Sequence, residues 1–409
     1  MKPAPDSIRR IFAVVTGLVF FTAGMLKLMD PVGASLVVHE YLQFLHLEFL
    51  DFLSYVAGAG LALVETLTGL ALVTGVFRKI AAIVTSAFLG FFTLLTLALW
   101  IVNPEMDCGC FGEAIHLTHA QSFLKNVLLC IFAMVAFLPY KDFGKPGKKK
   151  YVGFALVGIL SVFMLIRSAL FIPFTDFTPF SISSRIAAAE VTESADGEDM
   201  YEATFVYEKN GVQETFTLDD LPDSTWTFVR TDTKLRQDVS APESGPALSF
   251  SDQWGNYLDE IATGPLVMVL SSYRPSSLDS ESWSKIAQCL SSASDRGFTA
   301  LLMISDSHEA VLSSLPDELD PSHRELIESS LFFSDYKTLI SLNRSNGGAS
   351  FFSDGILIQR WPLRNLPSES RLDRISEDDS MDVMLTASTK GRLSYQASFL
   401  LSYLLMLLF

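Results

Sequence analysis

Residues 52–77 read FLSYVAGAGLALVETLTGLALVTGVF, an apolar stretch with a single charged side chain, Glu65. An α-helix rises about 1.5 Å per residue, so roughly 20 apolar residues cross the hydrocarbon core of a bilayer. Four further apolar runs flank this one, at residues 11–28, 80–102, 122–140 and 152–172. The sequence therefore predicts five transmembrane helices in a lipid bilayer. No small-residue cleavage site follows the first run, so it is interpreted as a retained span rather than a signal peptide.

Charge divides the chain into two unlike halves. Residues 1–173 contain 13 Lys and Arg against 10 Asp and Glu, whereas residues 174–409 contain 17 against 36. Phosphate would repel the acidic second half, and the first half is predicted to be embedded in lipid. The composition thus excludes a single soluble domain and argues against nucleic acid as a partner.

The basic residues of the short connections predict the orientation in the membrane, because Lys and Arg resist translocation. In a five-span arrangement they all fall on one side: Lys2, Arg9, Arg10, Arg78, Lys79, Lys141, Lys145, Lys148, Lys149 and Lys150. We therefore expect an inner-membrane, multi-pass protein with a cytoplasmic N-terminus. Residues 31–51 and 103–120 would be outer loops, and residues 174–392 would be periplasmic.

The outer half is predicted to have two structured parts. Residues 174–245 have a β-rich pattern, with a tight hairpin turn at Lys209-Asn210-Gly211. Residues 246–364 alternate between strand and helix in the order β-α-β-α-β-β, which resembles a thioredoxin-like α/β domain. Residues 365–392 are acidic and are interpreted as a solvated connector. Residues 393–409 form an apolar tail, and their insertion into the membrane is left open.

Cys108 and Cys110 provide the chemistry most readily inferred from the sequence. They lie in Asp107-Cys108-Gly109-Cys110-Phe111-Gly112, within a predicted outer loop. A disulfide requires the chain to bend between them, and Gly109 permits that bend. A ring this small gains little loop entropy, so its disulfide should be easily reduced and suited to thiol exchange. Two alternatives remain: a purely structural disulfide, or a metal site formed by Cys108, Cys110, His116 and His119.

Glu65 is a candidate functional residue because a carboxylate inside a transmembrane helix is costly unless it is paired or protonated. Lys27, near the outer end of the first span, is its candidate partner. The pair could serve a proton or ligand role, or it could be a polar contact that packs the bundle. Cys130 and Cys289 are interpreted as small buried apolar side chains.

Several of these segments resemble the DoxX and MauE group of membrane proteins, and more closely a Bacteroidota branch that adds a span and a thioredoxin-like outer region. The resemblance rests on the first span with Gly24, Lys27, Asp30 and Pro31, on Glu65-Thr66-Leu67-Thr68-Gly69, on the cysteine loop, on Leu221-Pro222-Asp223-Ser224-Thr225-Trp226, and on residues 339–347. It implies a four-helix bundle over residues 1–150, a fifth anchoring span over residues 151–173, a redox pair at Cys108 and Cys110, and an intramembrane acid at Glu65.

That group includes proteins associated with methylamine metabolism, which mature a disulfide-rich enzyme beside a thioredoxin-like protein. A redox-associated membrane protein with a periplasmic thiol or thioredoxin-like partner is therefore expected, although nothing here indicates a methylamine substrate. The outer domain lacks the CxxC of working thioredoxins, because the corresponding stretch reads Ser271-Ser272-Tyr273-Arg274-Pro275-Ser276. It is better suited to docking than to exchange, and a non-catalytic scaffold is the rival function. No motif identifies a cofactor. A quinone beside Glu65 would suit a redox role, but no residue pattern requires one.

Overall fold

A computed structural model describes residues 5–104, 106, 108–138, 146–173, 177–186, 201–209, 212–217, 221–223, 225–235 and 245–408. The chain forms two compact units. The first, the membrane unit, comprises Met1–Phe177 and Gly391–Phe409. The second, the αβ unit, comprises Thr178–Lys390.

The membrane unit contains the predicted spans. Within the described residues, five helices are long and apolar enough to cross a membrane. They are α1 (Asp6–Met29), α3 (Ser54–Thr74) with the 3-10 turn that leads into it, α4 (Arg78–Val102), α5 (His119–Phe137) and α6 (Lys148–Leu170). The prediction of a multi-pass membrane protein is confirmed.

Glycines let α1 and α3 approach each other closely. A Cβ atom on Gly24 would lie 2.3 Å from Thr66 Oγ1, and one on Gly69 would lie 2.3 Å from the Phe21 nitrogen. No larger residue fits at either position without moving backbone. The two helices therefore pack backbone against backbone, as small residues allow in membranes.

The segment predicted as an outer loop at residues 31–51 instead contains helix α2 (Pro31–Phe44). Asp30 ends α1 and caps α2, because its Oδ1 accepts a hydrogen bond from the Gly33 nitrogen at 2.9 Å. Pro31 occupies the first helical position, where its missing N–H costs nothing. A helix of this length is too short to span a bilayer, so hydropathy alone did not reveal it.

The C-terminal tail is part of the membrane unit. Helix α12 (Ser380–Leu408) ends there, with Met406 buried. The Tyr403 hydroxyl bonds to Thr22 on α1, and the Tyr403 ring packs edge-on against Phe21 at 5.2 Å. The sequence left open whether residues 393–409 enter the membrane, and in the structure Tyr403 of this tail lies against the transmembrane helix α1.

The αβ unit is built on a five-stranded mixed sheet of order β7-β6-β5-β8-β9. Its strands are β5 (Val267–Ser272), β6 (Thr299–Ile304), β7 (Leu331–Phe333), β8 (Gly348–Ser353) and β9 (Ile356–Trp361). Strands β5, β6 and β7 are parallel to one another. Strand β8 is antiparallel to β5, and β9 is antiparallel to β8. Strands β5 and β8 are buried along their whole length, and apolar clusters cover both faces of the sheet.

The helices of the αβ unit connect these strands. They are α7 (Ser280–Ser294), α8 (His308–Ser314), α9 (Pro321–Ser329), α10 (Tyr336–Leu342) and α11 (Glu369–Glu377). Asp279, Ser307, Asp320 and Asp335 cap the first four of these helices through their side chains. The observed elements form a β-containing C-terminal region in which strand and helix alternate, and the short edge strand β7 adds a fifth strand to the four that were predicted.

A separate three-stranded antiparallel sheet precedes it, with order β3-β2-β4. Its strands are β2 (Tyr201–Lys209), β3 (Val212–Thr217) and β4 (Thr227–Leu235). Lys209 pairs with Val212, as expected for a hairpin. The predicted turn residues Asn210 and Gly211 lie outside the described residues.

Residues 365–392 differ from the expected solvated connector. They form α11 and the start of α12, and Leu372, Ile375 and Met384 are buried in the core of the αβ unit. Arg296 fastens α11 to α7 through its contacts with Glu369 at 3.0 Å and Asp373 at 2.5 Å. The acidic composition suggested a loop, but Leu372 and Ile375 lie three residues apart on one face of α11, and both pack against the core, as does Met384 on α12.

Candidate functional site

The Lys27 and Glu65 side chains form a buried ion pair. Lys27 Nζ donates to Glu65 Oε1 at 3.0 Å and to Oε2 at 2.9 Å. Each side chain is 9–10% exposed. Gly24 lies one turn before Lys27, and its contact with Thr66 brings the two helices close enough for the pair to form. Lys27, the partner expected for Glu65, is therefore the residue that Glu65 contacts.

The two thiols of the cysteine loop lie side by side. The Sγ atoms of Cys108 and Cys110 are 3.5 Å apart, and both cysteines are free thiols. A disulfide needs a separation of about 2.05 Å, so a shift of about 1.5 Å would join the sulfurs. Cys108 is fully buried, whereas Cys110 is half-buried.

Gly109 makes this arrangement possible. Its φ of +54° lies in the left-handed region, which side chains disfavour. A Cβ atom there would also lie only 2.2 Å from Val37 on α2. The bend anticipated from the sequence is therefore present, and the loop is pressed against α2.

Two hydrogen bonds hold the rest of the loop. The Tyr41 hydroxyl, also on α2, donates to the Cys108 carbonyl oxygen. The Gly112 nitrogen donates to the Gly109 carbonyl oxygen at 3.0 Å as the chain enters the short strand β1 (Cys110–Glu113). A Cβ atom on Gly112 would lie 3.4 Å from Lys27 Cγ, so the loop also touches α1 beside the ion pair.

The surroundings give the two thiols different acidities. The hydrogen bond from the Cys108 thiol, together with the charges of Lys125 and Lys27, holds the pKa of Cys110 well below its ordinary value. The Cys108 pKa is raised, first by that same hydrogen bond and then by burial. Cys110 is therefore the thiol that ionises, and Cys108 is the thiol that donates to it.

Lys125 and Asn126 were not identified as site residues from the sequence. A reciprocal cap starts α5: Thr118 and Gln121 bond each other's backbone at 3.0 and 3.2 Å. This start places Lys125 near the thiol loop, with Nζ 4.9 Å from the Phe111 ring centre. Asn126 donates to Thr96 Oγ1 at 3.2 Å and ties α5 to α4.

A pocket joins these features inside the membrane unit. It encloses about 700 Å³ of space between atoms, including its open part. Its polar lining is Lys27, Tyr41, Glu65, Cys110, Lys125 and Asn126. Its apolar lining includes Val19, Phe20, Leu61, Phe88, Phe92 and Leu129. The reactive thiol and the buried ion pair thus face one largely apolar space.

Cys108, Cys110, His116 and His119, the four residues of the metal alternative, do not form one cluster. Among the described residues, no group of three or more His, Cys, Asp and Glu side chains is placed to hold a metal ion. His119 Nε2 lies 3.1 Å from the Pro104 carbonyl oxygen at the start of α5, which indicates a structural contact.

The remaining cysteines are separate from the site. Cys130 lies within α5, with its sulfur 3.4 Å from Thr93 Oγ1. Cys289 is buried in α7, and burial raises the pKa of its thiol to about 12. A thiol of this acidity stays protonated and unreactive at neutral pH.

The loop after β5, which the sequence analysis compared with the CxxC of thioredoxins, has no thiol. Asn346 closes this loop instead. Its Oδ1 accepts from Ser272 Oγ at 2.9 Å and from the Arg274 nitrogen at 3.0 Å, and its Nδ2 donates to the Arg274 carbonyl oxygen at 2.9 Å. The loop is held by carboxamide hydrogen bonds rather than prepared for sulfur chemistry.

Comparison with known proteins supports the membrane unit in particular. Residues 6–139 match the family model of Methylamine utilisation protein MauE. Residues 201–238 match the model of a Domain of unknown function (DUF8463). No curated protein and no solved structure matches the chain.

Proposed function

Residues 6–139 are MauE-like, and from this premise we propose that the protein is a membrane thiol–disulfide redox protein that cycles Cys108 and Cys110 between dithiol and disulfide. One observation carries the proposal. Two sulfurs lie 3.5 Å apart across a glycine, and the more exposed one faces two lysines. A structural cysteine pair has no need of such charges.

The exchange follows from the different acidities of the thiols. The Cys110 thiolate attacks one sulfur of a partner disulfide, a mixed disulfide forms, and the other partner sulfur leaves as a thiolate. Cys108 then loses its proton and attacks the Cys110 sulfur. The Cys108–Cys110 disulfide forms and the partner leaves with both of its thiols. The partner gains two electrons and the protein loses two, and the reverse sequence oxidises a partner dithiol.

The ion pair has a positioning role in this scheme. Glu65 holds the Lys27 ammonium at 2.9 Å, and the Lys27 stem contacts Gly112 in the thiol loop. Lys27 thereby keeps a positive charge near Cys110 without being drawn away to water. Glu65 acts on the thiol through Lys27, rather than by touching it.

The αβ unit supplies docking rather than exchange. Its strand order, with a central parallel pair followed by an antiparallel pair, supports a thioredoxin-like interpretation. The missing thiols and the Asn346 closure favour recognition of a partner protein. The Lys and Arg distribution favours an inner-membrane location with the thiols and residues 174–392 on the periplasmic side, so the partner would be a periplasmic thiol protein.

The test is a redox titration of the purified whole chain. The protein is equilibrated in mixtures of reduced and oxidised glutathione, and its remaining thiols are alkylated and located by mass spectrometry. We expect Cys108 and Cys110 to lose reactivity together as the mixture becomes oxidising. Cys110→Ser should abolish this transition.

Cys130→Ser is the matched control, because Cys130 lies within a span and should leave the transition unchanged. If Cys108 and Cys110 both remain free thiols in the most oxidising mixture, the redox function is wrong. A scaffold that recruits partners through the αβ unit would then be the better explanation.

A further inference from the structure

The pocket between the thiol loop and the ion pair has no role in exchange with a protein partner. An exchanging protein needs only one sulfur of the pair, yet the pocket extends from Cys110 inward to Glu65, between helices α1, α2, α3, α4 and α5. Its lining combines apolar walls with a few polar groups, which is usual for small-molecule sites. The pocket therefore calls for a small ligand that reaches the thiol from within the membrane unit.

The charges that line the pocket balance one another. Lys27 is neutralised by Glu65, with which it shares two hydrogen bonds. Lys125 faces the Cys110 thiolate. With two positive and two negative groups, the site offers no net charge to a free anion or cation. A neutral ligand fits this balance best.

The walls indicate the shape of that ligand. Phe20, Phe88 and Phe92 present aromatic rings, and Val19, Leu61 and Leu129 add aliphatic surface. The Phe20 and Phe88 ring centres are 6.3 Å apart, and those of Phe88 and Phe92 are 5.8 Å apart. Such walls suit a flat apolar ring, while the ammonium groups of Lys125 and Lys27 can donate to oxygen acceptors.

Electron balance then selects the chemical class. Oxidising a dithiol to a disulfide releases two electrons and two protons, so a ligand beside Cys110 that takes part must accept both. We propose that this pocket binds a lipid-soluble quinone, which oxidises the Cys108 and Cys110 dithiol directly. This inference rests on the proposed redox function and assigns it a direction: the protein would oxidise its periplasmic partner.

The reaction balances as follows. The sulfur–sulfur bond forms as the Cys108 S–H bond breaks, and two electrons pass to the quinone ring. Its two carbonyl oxygens become hydroxyls. One proton comes from Cys108. The other comes from the Lys125 ammonium. Lys125 is then protonated again from water, which had received the proton that Cys110 released when it ionised. The products are one disulfide and one hydroquinone.

The test uses reduced whole chain in detergent, mixed without oxygen with decylubiquinone. We expect one quinone to be reduced for each thiol pair lost, followed by the ultraviolet absorbance of the quinone and by thiol counting. Leu61→Trp should slow this reaction at least tenfold, because Leu61 lines the pocket one turn before Glu65. Val64→Trp, on the exposed side of the same helix, should leave the rate unchanged.

Oxidation by glutathione disulfide separates this inference from the proposed function. It should proceed equally in wild type and Val64→Trp, and Leu61→Trp should slow it far less than it slows the reduction of decylubiquinone. If glutathione disulfide oxidises the pair but decylubiquinone does not, the quinone site is wrong and the redox function stands. If neither reagent oxidises the pair, both are wrong.

A second measurement does not depend on a substituted protein. A photoreactive azidoquinone, illuminated with the wild-type chain, should label peptides from α1, α3, α4 or α5 that contain pocket residues, and excess decylubiquinone should compete. Labelling confined to peptides without pocket residues would overturn the assignment.

Discussion

The thiol loop at residues 108–112 and the loop at residues 271–277 of the αβ unit use their polar groups in opposite ways. In the first, Gly109 adopts a φ of +54° and leaves two sulfurs 3.5 Å apart, one of them beside lysines. In the second, the Asn346 carboxamide bonds to both the nitrogen and the carbonyl oxygen of Arg274. The first loop keeps reactive groups available, and the second uses its polar groups internally. The difference supports our proposal that chemistry belongs to the membrane unit and recognition to the αβ unit.

Breaking the ion pair beside the thiol loop should have the largest effect on this comparison. Glu65→Gln leaves the Lys27 charge buried without its anionic partner, which costs about 3–5 kcal/mol of stability. Thermal unfolding of the purified protein in detergent measures the loss. The double variant Lys27→Met with Glu65→Leu removes both charges and should recover most of the stability. A single variant as stable as wild type would contradict the positioning role of the pair.

Gly109→Ala should have the next largest effect, because it attacks the bend that distinguishes the thiol loop. A non-glycine residue at this φ costs about 1–3 kcal/mol, and its Cβ would also displace Val37. We expect a lower unfolding temperature and slower disulfide formation in glutathione buffers. Gly60→Ala is the control, since no atom lies within 4 Å of a Cβ there. Equal behaviour of the two variants would show that the bend is not required.

Lys125→Met tests the thiol loop by changing the pKa of the Cys110 thiol rather than the fold of the loop. Removing this charge raises the Cys110 pKa toward its ordinary value, so the thiol is protonated, and unreactive, up to a higher pH. At a pH below the Cys110 pKa, the rate of alkylation by iodoacetamide should fall about tenfold for each unit of pKa gained. A pH profile of the rate measures the shift. Lys285→Met is the control, because the Lys285 side chain is exposed on the surface of α7, and it should leave the profile unchanged.

Asn346→Ala should have the smallest effect and should be confined to the αβ unit. It removes the hydrogen bonds that close the second loop, at a cost of about 1 kcal/mol. Unfolding of the whole chain measures the loss, and the alkylation rate of Cys110 should not change. A slower rate would show that the two loops are coupled, and the separation of chemistry from recognition would need revision.

Much of the architecture could be predicted because it depends on local composition. The five spans follow from apolar runs of sufficient length, and four of the five strands of the central sheet of the αβ unit follow from short buried-type runs between turns. The edge strand β7 was missed because it has only three residues. Helix α2 escaped prediction because its fourteen residues are too few to cross a bilayer. The acidic stretch at residues 365–392 was interpreted as solvated because of its many charged residues. Three of its apolar side chains are nevertheless buried in the core of the αβ unit.

The candidate site was only partly visible in the sequence. The CxC spacing and the glycine between the thiols pointed to Cys108 and Cys110, and the cost of a carboxylate in a span pointed to Glu65. Lys125 gave no comparable signal, since a lysine near the start of a span ordinarily reaches for the interface. Its proximity to the thiol loop depends on how α5 packs, which involves Asn126 and a cap at Thr118.

By itself the sequence determined that this chain enters a membrane repeatedly, that two thiols are separated by a flexible residue, and that a buried acid needs a partner. These are consequences of hydropathy, backbone freedom and the cost of burying charge, and each acts over a few residues. Only the tertiary structure decided that Lys27 is that partner, that Lys125 faces Cys110, and that one pocket connects them. These relations join residues far apart in the chain, and helix packing alone brings them together.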